Sequence, residues 1–152
     1  MDDVVTVSED EIAAAILALM ENQKLVAEGA GATPVAAALF GKLPIEGKKT
    51  VCLISGGNID VTMLSRIIEK GLLRAGRVSK LRILMQDRPG QLEQVSRIIG
   101  SNGANVMAVH HDRTDVDLDI RDAILEITME TQDRAHAGRI IQALREAGFT
   151  VS

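Results

Sequence analysis

The residues from Lys80 to Gly103 change their hydrophobic period in mid-stretch, and this change constrains the chain more than any other feature. From Lys80 to Gln86, apolar Leu81, Ile83 and Met85 stand against polar Lys80, Arg82 and Gln86. Leu84 interrupts the alternation, but a period of two still describes the run, so it predicts a strand with one buried face. Asp87-Arg88-Pro89-Gly90 then stops the strand, because Pro fixes φ and Gly permits positive φ or close approach. Beyond it Leu92, Val95, Ile98 and Ile99 form one stripe of a helix that Asn102-Gly103 ends. A strand, a tight turn and a helix N-terminus set free backbone N–H groups beside a loop, where a small carboxylate can bind. An ordinary β-turn-α connection has the same pattern.

The rest of the C-terminal half completes a recognisable order. Ala104 to His110 reads as a strand, and Ile120 to Thr131 alternates with Ala123, Leu125, Ile127 and Met129 as its apolar set. A helix begins at Gln132-Asp133, turns Ala137, Ile140, Ile141 and Leu144 inward and ends at Gly148, before a short strand of Phe149-Thr150-Val151. β-α-β-β-α-β within one half of the chain is the split-βαβ, ferredoxin-like pattern, an α+β fold with an antiparallel sheet.

The N-terminal half is less complete. Val4 to Val7 is β-prone, and Ser8-Glu9-Asp10-Glu11 has the form of a capping box opening a helix with Ile12, Ile16, Leu19 and Met20 on one stripe. After Glu28-Gly29-Ala30-Gly31-Ala32-Thr33-Pro34, a helix of small residues is expected from Val35 to Phe40. Thr50 to Ile54 (TVCLI) has the continuous apolar character of a strand buried on both faces of a parallel sheet, with Cys52 inert inside it. It runs into Ser55-Gly56-Gly57-Asn58, and Asp60 is placed to cap a helix burying Leu64, Ile67, Ile68 and Leu72. Gly71 to Ser79 reads as a helix end and linker, which sets the expected domain boundary near Arg77. No neighbouring strands for TVCLI are evident, so residues 1–77 look like a piece of a larger α/β domain.

Composition narrows the partners. A net charge of −4, no Trp or Tyr and only two Phe leave neither a basic surface nor stacking platforms for nucleic acid. Apolar runs are too short for a membrane span, and the acidic MDDVVTVSEDE start is not a secretory signal. The single cysteine excludes an internal disulfide and suits a cytoplasmic location. Adjacent His110 and His111 on a strand point to opposite faces, which disfavours a shared metal and leaves them a surface or interface role. Asp115, Asp117, Asp119 and Asp122 lack the central Gly and closing Glu of an EF-hand and read as a solvated hairpin loop.

Two stretches carry a family resemblance. Glu28-Gly29-Ala30-Gly31-Ala32 with its Ala-rich helix, followed by Val51 to Asp60 (VCLISGGNID), resembles the end of the catalytic domain of threonine/serine dehydratases, fold-type II pyridoxal phosphate enzymes. The β-α-β-β-α-β half, with its Asp87-Arg88-Pro89-Gly90 turn, resembles the ACT regulatory domain that follows that catalytic domain in many dehydratases. The resemblance implies a catalytic-domain remnant at 1–77 and an ACT domain at 78–152. It also implies that Ser55 faces the pyridine nitrogen of the cofactor, with Gly56, Gly57 and Glu28 as vestigial cofactor residues. A hydroxyl partner does not hold the ring nitrogen protonated, so it favours prompt loss of a β-hydroxyl. The family's Schiff-base lysine, in a Ser-x-Lys-x-Arg-like setting, has no counterpart, and no run of more than two glycines occurs to hold the phosphate. The chain alone is therefore expected to be inactive and to need no cofactor of its own, with pyridoxal phosphate belonging to the full-length parent. ACT domains typically pair side by side and bind amino acids at the interface. The resemblance thus implies a homodimer and an effector, isoleucine or valine for a biosynthetic parent, held by Asp87, Arg88, Pro89, Gly90, Gln91, Asn105 and Val106. Two alternatives stay open: an assembly unit without ligand, and the tail of a threonine ammonia-lyase that deaminates threonine or serine to 2-oxo acids.

Overall fold

The computed structural model describes residues 4–114 and 119–152. It divides into two compact units, Met1–Gly71 and Leu72–Ser152. In the second, strand β1 (Val78–Gln86), helix α4 (Gln91–Ser101), strands β2 (Asn105–Asp112) and β3 (Asp122–Glu130), helix α5 (Arg134–Glu146) and strand β4 (Thr150–Val151) follow in order. The strands form one sheet in the order β2-β3-β1-β4, antiparallel at every step. The expected ferredoxin-like α+β arrangement is what forms.

The β1–β3 ladder positions everything else in this unit. Nine residues pair without a slip, from Val78 opposite Glu130 to Gln86 opposite Asp122. This register sets Leu81, Ile83 and Met85 against Ile127, Leu125 and Ala123 on the inner face, where α4 and α5 add Val95, Ile99, Ile140 and Leu144. A one-residue slip would turn this set to solvent, so the alternation in the two sequences fixes the pairing. Leu84, which broke the alternation, lies on the outer face opposite Ile124 and is 39% exposed. Leu92 departs from its expected stripe: at 41% exposed it lies bare in the first turn of α4, while Val95 and Ile99 are fully buried. His136, at the start of α5, is buried as a polar clamp. Its Nδ1 accepts from the Gln132 N–H at 3.1 Å, and its Nε2 lies 2.7 Å from the Asn102 carbonyl.

In the first unit, α1 (Glu9–Gln23) opens with the expected reciprocal capping box. The Ser8 hydroxyl accepts from the Glu11 N–H at 3.2 Å, and the Glu11 carboxylate accepts from the Ser8 N–H at 2.8 Å. A hydrogen bond from Lys42, first, and that from Ser8 hold the Glu11 carboxyl below the usual range. Helix α2 (Gly29–Leu39) begins six residues earlier than the sequence suggested and contains Pro34. Proline lacks the N–H that would bond the Ala30 carbonyl, and the Thr33 hydroxyl donates to that carbonyl instead, at 2.8 Å. Ala15, Ile16, Leu19, Ala27, Ala32, Ala36 and Ile67 form the buried cluster. The small side chains let helix backbones approach closely.

TVCLI does not form the expected buried strand. Residues 51–60 join neither helix nor strand, and Val51 and Leu53 are 94% and 78% exposed. Ile54 packs against the α1–α2 cluster, and half-buried Cys52 turns its thiol toward the Pro34 carbonyl at 3.7 Å. Backbone N–H and C=O groups need paired neighbours to make a sheet, and the described residues of this unit supply none. Val4–Val7 is likewise not a strand. The expectation for Asp115 and Asp117 lies outside the described residues, among which no group of three potential metal ligands assembles. No described helix is long and apolar enough to cross a membrane.

Helix α3 (Val61–Ala75) starts as the sequence suggested, with the Asp60 carboxylate accepting from the Thr62 and Met63 N–H groups at 2.7 and 3.3 Å. The Thr62 hydroxyl donates to the same oxygen, and these bonds, the hydroxyl first, hold the Asp60 carboxyl below its ordinary value. A lowered folded-state pKa stabilises the helix start at pH values above the unfolded pKa, and the effect fades as pH falls through the folded value. Amide exchange at Thr62 and Met63 should therefore be faster in Asp60→Ala than in the wild type at neutral pH, and the difference should vanish below the aspartate range. In the second unit, Leu125→Ala should destabilise the sheet by about 3 kcal/mol, read from exchange of β1 and β3 amides.

Candidate functional site

In the first unit the two sequence motifs singled out for cofactor chemistry come together. The Glu28 N–H donates to the Gly56 carbonyl at 3.2 Å, so the loop of Ser55-Gly56-Gly57 lies along the N-terminus of α2. Glycine is required here twice. A Cβ on Gly31 would fall inside the Ser55 carbonyl, and one on Gly56, already at φ 74°, would strike the Glu28 carboxylate. The structure thus sets a hydroxyl, a carboxylate and two glycines side by side, all exposed at Ser55, Gly56 and Gly57. Such a set can meet one edge of a flat heteroaromatic ring. It supplies no amine to form a Schiff base.

In the second unit the turn after β1 is held at its start. The Asp87 N–H donates to the Arg121 carbonyl at 2.8 Å, and the Arg88 N–H to the Gln86 carbonyl at 2.9 Å. Gly90 sits at φ 89° as the N-cap of α4, with open space where a Cβ would stand. Its glycine therefore serves the left-handed backbone rather than a close approach. No side chain caps this helix; the Gln91 N–H donates to the Arg88 carbonyl at 3.4 Å and the Gln94 N–H to the Gly90 carbonyl at 3.0 Å, which leaves the Leu92 and Glu93 N–H groups for a ligand. A shallow pocket of about 330 Å³ lies over Pro89, Gly90, Gln91, Glu93, Gln94 and Arg97.

The sequence-derived effector residues do not all meet within one chain. Asp87 to Gln91 stand at the Gln86 end of β1. Asn105 and Val106 begin β2 at the opposite end of the sheet, where Asn105 donates to Glu130 at 3.1 Å. The intervening length of β3 separates the two groups by about 27 Å. The residues that do meet the turn come from the far end of β2. The Arg113 Nε lies 3.1 Å from the Asp87 Oδ2, and the His111 Nε2 lies 3.8 Å from the Asp87 Oδ1. His110 faces the other side of the sheet, opposite Glu126, as expected for adjacent strand residues. The strand expected to end at His110 extends to Asp112, which carries His111 and the following Arg113 up to the turn.

β2 is an outer strand of the sheet, and Met107 and Val109 on it are 54% and 42% exposed. An outer strand offers unpaired N–H and C=O groups along its free side.

Residues 1–57 match the family "Pyridoxal-phosphate dependent enzyme", and residues 79–149 match "ACT domain". The chain is 46% identical over 151 residues to an L-threonine ammonia-lyase of Thermotoga maritima, covering 99% of this chain and 37% of that protein. It is 42% identical over 151 residues to an L-threonine ammonia-lyase of Geobacter sulfurreducens, again over 99% of this chain and 38% of that protein. Among solved structures, the ACT domain from GTP pyrophosphokinase of Chlorobium tepidum aligns at a TM-score of 0.40 and 17% identity, covering 49% of this chain and 94% of that one. The chain spans little more than a third of the length of the two ammonia-lyases.

Two glycines give direct tests of these geometries. Gly31→Ala should part α2 from the Ser55 loop and raise amide exchange through residues 26–57. Gly90→Ala should cost about 1 kcal/mol through its positive φ, measured as a lower unfolding midpoint of the second unit, with little change in the first.

Proposed function

We propose that this chain, a stretch of a pyridoxal-phosphate dependent enzyme followed by an ACT domain, acts as the regulatory C-terminal part of a threonine dehydratase. Its ACT half binds an amino-acid effector and pairs with a second copy. The observation that carries this reading is the N-terminus of α4, without a side-chain cap behind Gly90, in the turn that begins at Asp87. A free amino acid presents a carboxylate for the N–H groups and an ammonium for Asp87. The bare Leu92 in the same turn offers apolar contact to a branched aliphatic side chain, which suits isoleucine or valine.

The open side of β2 supports the pairing. When β2 pairs antiparallel with a copy of itself, Asn105 of one protomer lies opposite the His111–Asp112 end of the other. Asn105 and Val106 then approach the Asp87–Gln91 turn across the interface, although they lie far from it within one chain. Asp87, Arg88, Pro89, Gly90 and Gln91 from one protomer with Asn105 and Val106 from its partner make one composite site. Met107 and Val109 become covered in the same step.

On this reading the first unit, expected to extend to about residue 77, is a catalytic-domain remnant and inactive by itself. Ser55, Gly56, Gly57 and Glu28 would meet the pyridine edge of pyridoxal phosphate only in a full-length parent, a cytoplasmic threonine ammonia-lyase that deaminates threonine or serine. Production of 2-oxobutanoate or pyruvate by the purified chain with added cofactor would contradict this. Pure assembly through β2, without a ligand, is the second reading, and the bare Met107 and Val109 favour it equally.

A thermal-shift screen against the twenty amino acids separates the two. Isoleucine or valine, but not alanine, should raise the midpoint, with about 2.7 kcal/mol of stabilisation at one hundred times the dissociation constant. A dimer that no amino acid stabilises would leave only the assembly reading.

A further inference from the structure

Among the described residues, one side-chain polar atom is both buried and without a hydrogen-bond partner: the Nε2 of His111. It lies on the core side of β2, opposite Leu125, and faces the first residue of the turn. The Asp87 Oδ1 is 3.8 Å away, beyond hydrogen-bond reach. On the other side of the same carboxylate, Arg113 at 3.1 Å already holds Oδ2. Folded proteins rarely leave a buried nitrogen unpaired, because its hydration is lost with nothing in return. The unpaired atom is at the one turn where the effector is proposed to dock, less than an ångström short of a partner.

We propose that His111 is the positioning residue of the effector turn, and that its unmade bond to Asp87 closes when an amino acid binds. This rests on the effector reading above. In the free protein, Arg113 holds the Asp87 carboxylate and His111 stays short of it. An amino acid docked on the first-turn N–H groups of α4 draws the turn toward β2. His111, in its Nε2–H tautomer, then donates to Asp87 Oδ1 and fixes the carboxylate for the ligand's ammonium. A bond made only in the bound state contributes only to that state, so it favours binding without strengthening the free fold. It also links the ligand to the end of β2, the strand proposed to pair between copies.

The test compares the wild type, His111→Phe and His111→Gln by calorimetric titration with isoleucine and valine and by the unliganded unfolding midpoint. Phenylalanine keeps a flat ring and removes both nitrogens, while glutamine restores an N–H donor at a similar reach. His111→Phe should unfold at or above the wild-type midpoint without ligand, because an unpaired buried nitrogen has been replaced. It should nevertheless bind on the order of tenfold more weakly. His111→Gln should regain part of that loss. A merely structural imidazole gives the opposite pattern, a lowered unliganded midpoint, and would overturn the proposal. Equal affinity of wild type and His111→Phe would overturn it as well, with the effector reading intact. If the wild type itself binds neither isoleucine nor valine, the effector reading fails and the positioning role fails with it.

Discussion

The second unit depends on the pairing of β1 with β3. Nine residues meet nine without a bulge, and both inner faces are apolar at every second position. Burying a side chain such as Ile83 or Leu125 stabilises by about 1.5–3 kcal/mol, so the register is worth several such terms at once. Once β1 is fixed, the end of the strand is fixed too. The turn of Asp87 to Gly90 must then leave the sheet at Gln86, and α4 must return across the inner face. The placement of the candidate site therefore follows from a ladder that contains none of its residues.

The first unit shows what happens when such a ladder is missing. Its helices still cap and pack, because Ser8, Glu11, Thr33 and Asp60 satisfy backbone groups locally and alanines allow close contact. The apolar TVCLI stretch keeps only one covered face, through Ile54 and Cys52, and leaves Val51 and Leu53 to solvent. A strand is a property of a pair, whereas a helix closes its own hydrogen bonds. The meeting of Glu28 with Gly56, in contrast, is a tertiary contact between residues 28 positions apart.

Most of the C-terminal half was legible in the sequence because its signals are local. The alternation of Leu81, Ile83 and Met85, the stripe of Val95 and Ile99, and the turn at Pro89-Gly90 each arise within a few residues. The capping roles of Ser8 and Asp60 were legible for the same reason. Leu92 falls outside the buried stripe because periodicity marks a face of the helix without saying how far along its axis the core extends. Glu28 and the Ser55–Gly57 stretch were marked only by a resemblance, and their side-by-side placement depends on Gly31 leaving room for the Ser55 carbonyl.

The sequence by itself determined which segments are strands and helices in the C-terminal half, which face of each is buried, and where the backbone turns through Gly90. These depend on side-chain period and on backbone sterics, which neighbouring residues set. Only the tertiary structure decided that TVCLI stays unpaired, that Asn105 lies at the far end of the sheet from the turn, and that His111 and Arg113 reach Asp87. Those outcomes depend on strand order and register, which bring together residues more than twenty positions apart, and no local pattern encodes the distance between them.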